Sequence, residues 1–477
     1  MPVPVISIAQ MRDWEKATWA AGQTEAAVIR RVGKCVAELA LRLTTGGDRI
    51  LLLAGKGHNG DDARAACDHL GDRCVELLEV SAPAADLARL EAVLGRHPAL
   101  VVDGLFGIGL NRPLEADWIA FITRLNQHHP QVLAVDVPSG LNADTGEPQG
   151  AAVAATVTLA IGAPKQGLLR TDASPSVGRL EVAHDVGLIP CPLTSQWQWT
   201  LPMDFSGFPP RRPVAAHKGS FGHLAIIAGS VGFHGAAVLA ARASQRAQPG
   251  LITLFPHEPA YHGIASQLQA VMVNIWQPTA KLQGDFSAIL IGPGLAAPNL
   301  PDELAMTTRH LWRDAPVPVI VDATALDWLP LGSVPKGSLR VITPHPGEAA
   351  RLMKGTVPQV QANRPQAVRE ISHRFGNCWV VLKGHQTLVG RGDGVISVNS
   401  TGNPHLAQGG SGDVLAGFIA GLLAQPALQI DPDQTLRYAV WQHGAAADAL
   451  QANRANWIVE ELLDRLGDIR PDGSALA

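Results

Sequence analysis

Short runs of Val, Ile and Leu alternate with helical patterns along almost the whole chain, and this alternation restricts the fold more than any other feature. In the first half the runs are RILLLAG (49–55), ALVVDGLFG (99–107), VLAVDVPSG (132–140) and ATVTLAIGAP (155–164). Continuously apolar strands separated by helices are typical of a parallel sheet covered on both faces. The first half is therefore predicted to form a three-layer α/β domain.

The segment 190–213 interrupts this alternation, because it is rich in proline and has no sustained periodicity. At 477 residues the chain is also too long for one ordinary core. We therefore predict two unlike domains, residues 1–208 and 209–477. In the second, strand patterns resume with HLAIIAGS (223–230), LITLFP (251–256), AILIGPG (288–294), VPVIVDATAL (317–326), LRVITPHPGE (339–348) and CWVVLKG (378–384).

Charge and cysteine usage exclude several classes of function. The net charge is −4 and basic residues form no run longer than two, which argues against nucleic acid and anionic membranes as partners. The five cysteines are scattered without C-x-x-C spacing, which argues against a disulfide framework and a zinc site. No apolar stretch is long enough to span a membrane, and the N-terminus lacks an export signal. We expect a cytoplasmic homo-oligomer that acts on small molecules.

The stretch GKGHNGDDARAA (55–66) has the form of a phosphate-binding loop. The pattern predicts a strand over 50–54, a turn over 55–60 and a helix beginning near Asp61, with backbone N–H groups facing the crevice at the strand's carboxyl end. The next two strands end in VVDGLFGIGLNRP (101–113) and VDVPSGLNADTG (135–146), at the same sheet edge. Together these loops indicate a nucleotide site. The alternative is a capped helix without a ligand, since Asp61 and Asp62 also offset a helix dipole.

DGLFGIGL (103–110) and DVPSG (136–140) make this half resemble the Rossmann-like epimerase domain of the NAD(P)H-hydrate repair enzymes. The family's N-N-G-G-D-G is altered to HNGDDA (58–63), so Asp61 adds a negative charge that the family lacks. The resemblance implies a K⁺ ion near Asn59, Asp103 and Ser139, which would offset the two aspartates. It also implies a hydrate site formed by His58, Asn59, Gly60, Asp61, Asp62, Gly107, Ile108, Gly109, Leu110, Asn111, Arg112, Pro113, Asp136 and Lys165.

Asp136 is the best candidate for the acid/base group that epimerisation needs. Its carboxylate could instead cap the P-S-G turn. Lys165, in IGAPKQGLL (161–169), matches a Pro-Lys turn of the family and could face the pocket, although a solvated loop lysine would give the same pattern.

NPHLAQGGSGDVLAGFIAGLLA (403–424) combines a G-x-G-D turn with an apolar helix predicted to begin at Val414. The amides of residues 410–413 then form an anion site beside one carboxylate. This pattern resembles the ribokinase-like fold, in which such an aspartate, here Asp413, takes a proton from the attacking hydroxyl. The alternative is a buried glycine-rich helix start with Asp413 as an ordinary capping residue.

Several further stretches make residues 213–465 resemble the ADP-dependent NAD(P)H-hydrate dehydratase domain of the same bifunctional family: HKGSFGHLAIIAGS (217–230), GAAVLAARAS (235–244), GPGL (292–295), TPHPGE (343–348) and KGHQT (383–387). The resemblance implies Mg²⁺ and ADP as cofactors. It implies hydrate contacts at Ala236, Gly294, His345 and Asp413, and nucleotide contacts at Lys383, Gly384, His385, Gln386, Thr387 and Gly412.

Individual motifs have simpler interpretations. The family's D-A-D-A-L reads VDATAL (321–326) here, so its second acid is absent. His345 between prolines could only fix a turn, and Lys383-Gly384 could be a plain hairpin corner. For the whole chain, a small-molecule kinase of the same fold and a non-catalytic dinucleotide-binding or interaction protein remain alternatives, because fold alone does not determine function.

Overall fold

The computed structural model describes residues 3–110, 112–278, 286–335, 337–452 and 454–471. These residues form two compact units that divide between Trp199 and Thr200. The division comes before the predicted boundary at 208/209 because Phe205 is part of the second unit's core and Asp204 pairs with Arg437 at 2.7 Å. The predicted linker is thus partly packed against the second unit.

The first unit contains eight strands and six helices among its described residues. The strands are β1 (Val3–Pro4), β2 (Arg49–Ala54), β3 (Cys74–Glu79), β4 (Leu100–Gly104), β5 (Val132–Val135), β6 (Val157–Ile161), β7 (Arg179–Ala183) and β8 (Trp197–Trp199). The helices are α1 (Ile8–Ala20), α2 (Glu25–Leu43), α3 (His58–Ala66), α4 (Pro83–Leu94), α5 (Ala116–Gln127) and α6 (Ser174–Val177).

Six strands of this unit form a fully parallel sheet in the order β3-β2-β4-β5-β6-β7. One hydrophobic cluster packs α2 and α3 against one face, and a second packs α4 and α5 against the other. The four predicted strands and the three-layer arrangement are confirmed. Strands β3 and β7 were not predicted, because these edge strands include charged, solvent-facing positions such as Glu76, Glu79 and Glu181.

The second unit contains nine strands and nine helices among its described residues. The strands are β9 (His223–Ile227), β10 (Leu251–Phe255), β11 (Met272–Val273), β12 (Ala288–Ile291), β13 (Val319–Val321), β14 (Arg340–Ile342), β15 (Trp379–Leu382), β16 (Leu388–Gly390) and β17 (Ile396–Val398). The helices are α7 (His234–Arg246), α8 (Tyr261–Ala265), α9 (Asp302–Asp314), α10 (Pro346–Met353), α11 (Val357–Ala362), α12 (Arg364–Arg374), α13 (Ser411–Leu423), α14 (Pro432–Gln451) and α15 (Val459–Arg465).

The strands pair in the order β17-β16-β15-β14-β13-β12-β9-β10-β11. Pairing is parallel from β15 to β11, whereas β16 and β17 add an antiparallel extension. The six predicted strands are confirmed, and the antiparallel extension was not predicted. Helix α13 is buried along most of its length, as its nearly uniform apolar sequence requires. It approaches α7 so closely that a Cβ at Gly417 would lie 2.1 Å from the carbonyl of Ala240.

None of the helices in the described part of the chain combines the length and the apolar character that crossing a membrane requires.

Candidate active sites

Helix α3 begins at His58, with Gly57 as its N-cap, rather than near Asp61. The predicted start was wrong because Gly60 was interpreted as a turn residue. In the structure Gly60 lies in the first turn of the helix, where a Cβ would be 2.1 Å from the carbonyl oxygen of Gly55. Glycine is needed here for the close approach of two backbone segments. The N–H groups of residues 58 and 59 therefore lie in the first helical turn and have no partner within the helix, whereas the Gly60 N–H donates to the Gly57 carbonyl at 2.8 Å.

Three loops meet at the carboxyl edge of the first unit's sheet. The Asn59 side chain donates from Nδ2 to the carbonyl oxygens of Phe106, at 3.0 Å, and Val135, at 2.9 Å. Ser139 Oγ donates to Asp103 Oδ1 at 2.6 Å, and the Phe106 amide donates to Ser139 Oγ at 2.8 Å. Asn59, Asp103 and Ser139, the three residues expected near a K⁺ ion, thus lie together in the structure.

Asp103 is completely buried at the centre of this arrangement. Burial raises its pKa to about 6, against hydrogen bonds from Ser139 and the Leu105 amide that lower it. The carboxylate, the Ser139 hydroxyl and the carbonyls of Phe106 and Val135 are oxygen donors, which hard cations prefer. The residues present therefore fit a monovalent cation, which would favour the ionised form of Asp103. No group of three or more His, Cys, Asp or Glu side chains able to hold a metal occurs among the described residues of either unit.

Asp61 and Asp62 add less negative charge to the loop at pH 7 than two unpaired, ionised carboxylates would. Asp61 pairs with Arg64 at 2.9 Å, and Arg64 also donates to the carbonyl of Gly55 at 2.9 Å. Asp62 is buried, and burial, followed by the charges of Asp136, Asp61 and Glu15, raises its pKa to about 8. Asp62 is therefore mostly neutral at pH 7. Arg64 supplies part of the positive charge that offsets Asp61, although it also pairs with Glu79 at 3.1 Å.

Asp136 and Lys165 form a buried ion pair, with 2.5 Å between Lys165 Nζ and Asp136 Oδ1. Lys165 Nζ also donates to the Ile161 carbonyl at 3.0 Å, and the Ile161 amide donates to Asp136 Oδ1 at 3.0 Å. The solvated-lysine alternative was wrong, and the Asp136 carboxylate is directed to β6 and Lys165 instead of capping the P-S-G turn. Asp136 has a backbone φ of 64°, a conformation that costs energy for a residue other than glycine and is found preferentially at functional sites.

Glu15 of α1 belongs to the same electrostatic environment, although no motif pointed to it. Burial raises the pKa of Glu15, Lys165 lowers it, and Asp136 and His58 also act on it. The His58 imidazole contacts the carboxylate of Glu25 of α2 and is largely exposed. Helix α1 therefore supplies an acidic side chain to the neighbourhood of Asp136.

The glycine turn after β4 lies beside Asn59. A Cβ at Gly107 would be 3.2 Å from Asn59 Oδ1, and Phe106 packs edge-on against Trp118 with 4.6 Å between ring centroids. Gly107, Ile108 and Leu110 are partly buried, whereas Gly109, Arg112 and Pro113 are exposed. Asn111 lies outside the described residues.

In the second unit, α13 begins at Ser411 rather than at the predicted Val414, with Gly410 as its N-cap at a φ of 94°. Gly412 and Asp413 therefore lie in the first turn, whose N–H groups have no partner within the helix. Burial, followed by the charge of Asp322, raises the pKa of Asp413 to about 7, although Lys383 lowers it. The helix start thus presents an anion-binding backbone together with a carboxyl group that titrates near neutral pH.

Lys383 lies against this helix start. Its Nζ is 2.8 Å from Asp322 Oδ1 and 3.9 Å from Glu348 Oε2, and a Cβ at Gly412 would be 3.2 Å from it. Burial opposes the charge of Lys383, but Asp322, Glu348 and Asp413 together raise its pKa. A cation at a helix N-terminus opposes the helix dipole and is held here by carboxylates. Lys383 therefore adds a fixed positive charge to the candidate anion site.

Residues 383–387, named here the 383–387 loop, connect the antiparallel strands β15 and β16. The loop is therefore a hairpin loop, as the simpler interpretation expected, but Lys383 is not a plain corner residue because it is turned into the site. Gly384, at a φ of 132°, and Gln386, at 53°, both have left-handed backbones. In Gln386 this conformation is strained.

The residues predicted to contact the hydrate occupy two loops. Gly294 has a φ of 67°, and a Cβ there would be 3.1 Å from the Cβ of Ala236. Ser230 organises this loop, because its hydroxyl donates to the Gly294 carbonyl at 2.6 Å and accepts from the Ala297 amide at 3.1 Å. His345 caps α10 by accepting from the Gly347 amide at 3.0 Å, so it does fix a turn, and its side chain is 54% exposed.

Sequence reasoning missed Asp322 and Glu348, which hold Lys383. Asp322 follows β13 directly and accepts from Thr343 Oγ1 at 2.6 Å. Its position at a strand's carboxyl end is the same signal that identified Asp136. The contact of Glu348 with Lys383 could not be recognised from the sequence because Glu348 also has a capping role. It completes the capping box of α10 by accepting from the His345 amide at 2.8 Å.

Comparisons with known proteins bear on both units. The family described as NAD(P)H-hydrate dehydratase matches residues 224–471, and the family described as YjeF-related protein N-terminus matches residues 72–167. A bifunctional NAD(P)H-hydrate repair enzyme of Coxiella burnetii is 32% identical over 464 residues, which are 92% of this chain and 93% of that protein.

Two solved structures resemble the second unit. A ribokinase-like superfamily protein of Enterococcus faecalis is 24% identical, with a TM-score of 0.50, and the match covers 57% of this chain and 95% of that one. An ADP/ATP-dependent NAD(P)H-hydrate dehydratase of Bacillus subtilis, co-crystallised with ATP and Mg²⁺, is 32% identical, with a TM-score of 0.48, covering 54% and 91%. The second unit has the ribokinase-like fold, and the chain as a whole belongs to the family of bifunctional NAD(P)H-hydrate repair enzymes.

Proposed function

We propose that this chain repairs hydrated NADH and NADPH. The second unit dehydrates the S hydrate at the expense of ADP, giving AMP, phosphate and NAD(P)H, and the first unit interconverts the R and S hydrates. The observation that carries the proposal is the partly buried carboxyl of Asp413, with a pKa near 7, beside Lys383 at the start of α13. Since the dehydratase takes one epimer, an epimerase in the same chain makes both recoverable.

For dehydration, Asp413 takes the proton of the hydrate's ring hydroxyl as that oxygen attacks the terminal phosphoryl group of ADP. The oxygen–phosphorus bond forms, the bond to the leaving AMP breaks, and the N–H groups of Gly412 and Asp413 with Lys383 stabilise the charge on the phosphoryl oxygens. The phosphate ester then leaves as the ring nitrogen donates its electron pair, and loss of a proton from the neighbouring carbon restores the double bond.

The remaining residues bind the two substrates in this proposal. Residues 383–387 and Gly412 contact ADP, and Ala236, Gly294 and His345 contact the hydrate. Mg²⁺, when bound with ADP, would neutralise phosphate charge beside Asp413, Asp322 and Glu348. The five scattered cysteines are free, which supports action in a reducing cytoplasm. A homo-oligomeric state stays a prediction.

For epimerisation, the Asp136–Lys165 pair supplies the acid and base. The carbon that inverts bears a hydroxyl next to the ring nitrogen, so it can invert by ring opening or by loss and return of water. Either route moves a proton to and from that hydroxyl. The pair lies at the sheet edge where α3 and the turn after β4 converge. In this proposal the N–H groups of residues 58 and 59, in the first turn of α3, bind a dinucleotide phosphate.

The pH dependence of dehydration tests the assignment of Asp413. With a pKa of about 7, the base is mostly protonated at pH 6 and mostly ionised at pH 8. The kcat/KM for the hydrate is therefore expected to rise about tenfold from pH 6 to pH 8 and then level off. His443, which is close by on α14, stays neutral over this range because burial lowers its pKa to about 4. A flat profile, or one that falls toward pH 8, would contradict the assignment.

We propose that K⁺ binds near Asn59, Asp103 and Ser139, where its charge would attract the dinucleotide phosphate. Replacing K⁺ with a bulky organic cation should raise the epimerase KM for the hydrate by roughly 5–50-fold. Asp103→Asn keeps the size of the side chain and should abolish this dependence on the cation. As a matched control, Asp61→Gly removes an aspartate that is paired with Arg64 and does not belong to the proposed cation site, and it should retain the dependence. Epimerisation that is indifferent to the cation in the unmodified chain would refute the site.

A further inference from the structure

Arg364, the first residue of α12, is buried against the 383–387 loop. Its guanidinium donates to the carbonyls of residues 382, 383, 385 and 386, with distances of 3.2 Å to Leu382, 3.4 Å to Lys383 and 3.4 Å to Gln386, and it also contacts the carbonyl of His385. The side chain is only 8% exposed, and its Nε has no hydrogen-bond partner among the described residues. One side chain thus holds the carbonyls of three loop residues and that of Leu382 at the end of β15.

These contacts fix the direction of the loop's N–H groups. In a planar trans peptide the C=O and N–H point in opposite directions. Because the carbonyls of Lys383, His385 and Gln386 face Arg364, the N–H groups of the following residues 384, 386 and 387 point away from it. Alternating left-handed residues in such a segment, here Gly384 and Gln386, form a concave row of N–H groups that binds anions.

Arg364 also brings a positive charge that no carboxylate among the described residues pairs with as Asp322 pairs with Lys383. Burial lowers the pKa of Arg364 to about 10, which leaves it charged at neutral pH. A cation in the first turn of α12 opposes the helix dipole, so the position is unfavourable for the helix alone. The loop, in contrast, gains a positive charge behind its row of N–H groups.

We infer that Arg364 is a positioning residue for the nucleotide: it holds the 383–387 loop in the shape that binds the diphosphate of ADP. The inference rests on the proposed function. The planar guanidinium fixes the conformation of the loop because its N–H groups reach several carbonyls at once. A lysine ammonium at the same position would keep the positive charge but could not hold those carbonyls in the same geometry.

The chain contains a matched control. Arg340, at the start of β14, is also buried and donates to four carbonyls, among them Trp312 at 2.6 Å and Ala315 at 2.7 Å. Arg340 lies at the amino end of its strand, opposite to the edge that carries Asp322 and Lys383. Arg340→Lys therefore measures how the loss of a buried guanidinium affects stability at a position away from the proposed ADP site.

The test measures ADP binding by calorimetry, with Mg²⁺ and without hydrate, together with KM and kcat for dehydration, on the full chain. Arg364→Lys should raise the KM for ADP by roughly 5–20-fold and Arg364→Met by roughly 20–100-fold. Both variants should leave the KM for the hydrate unchanged and kcat within about twofold. Arg340→Lys should lower Tm and leave the KM for ADP unchanged. If Arg364→Met does not fold, the ADP affinity of Arg364→Lys alone tests the role of Arg364.

An unchanged ADP affinity in Arg364→Lys, with kcat reduced only in proportion to the folded fraction, would overturn the inference. Calorimetry separates this failure from failure of the proposed function. If the unmodified chain binds ADP without dehydrating a hydrate, the proposed function fails while the role of Arg364 is still measured. If the unmodified chain does not bind ADP, both are refuted.

Discussion

Asp413→Asn should slow dehydration by roughly 10²–10⁴-fold while changing the affinity for ADP little. Asparagine keeps the size of the side chain at the start of α13 but cannot accept the proton of the attacking hydroxyl. The variant also removes one of the carboxylates that raise the pKa of Lys383, but Asp322 and Glu348 remain at 2.8 Å and 3.9 Å from its Nζ. Single-turnover recovery of reduced nicotinamide, with ADP binding measured separately, checks this prediction.

Near-normal turnover in Asp413→Asn would remove Asp413 from the role of base. The variant should also lose the rise in rate between pH 6 and pH 8, because the group that titrates there is gone. A retained rise would assign the titration to another group of the site.

Asp136→Asn should slow epimerisation by roughly 10²–10⁴-fold, and it should also destabilise the first unit. Lys165 is fully buried and would be left without its charged partner, and breaking a buried ion pair in this way costs about 3–5 kcal/mol. Activity and stability must therefore be separated. Thermal unfolding and the rate of R-to-S conversion, measured on the same preparation, check both effects.

The double variant Asp136→Asn/Lys165→Met provides the control. It removes both charges, so it should recover most of the lost Tm but none of the lost epimerase activity. If the double variant regains activity together with stability, the ion pair is a structural element of the fold and not the acid/base group.

The predicted strands were all found because apolar runs such as 50–54 and 288–291 are buried on both faces, and this leaves a clear pattern in the sequence. Edge strands and the antiparallel hairpin of β16 and β17 lack such long runs. The predicted starts of α3 and α13 both lay three residues beyond the observed ones, and for the same reason. Gly60 and Gly412 were interpreted as turn residues, whereas both lie in the first turn of a helix.

Several side chains predicted from motifs do lie together, as Asn59, Asp103 and Ser139 do, but most of their partners could not be predicted from the sequence. Asp61 pairs with Arg64 one helical turn away, a spacing that the sequence does contain, and this pair could have been predicted. Lys383 pairs with Asp322 at the end of β13, a strand far away in sequence. Arg364 reaches the loop carbonyls from α12, the helix that precedes β15. Such contacts depend on the order of strands in the sheet, which periodicity alone does not determine.

The central claim is that one chain recovers both epimers and that each unit supplies one step. The most direct measurement is the absorbance of reduced nicotinamide recovered from a mixed-epimer hydrate with ADP and Mg²⁺. The unmodified chain should recover the whole mixture. Asp136→Asn/Lys165→Met should recover the S fraction quickly and the rest only at the spontaneous rate, and Asp413→Asn should recover neither at a comparable rate. Full, rapid recovery by the Asp136 variant, or phosphorylation by the unmodified chain without any recovery of reduced nicotinamide, would contradict the account.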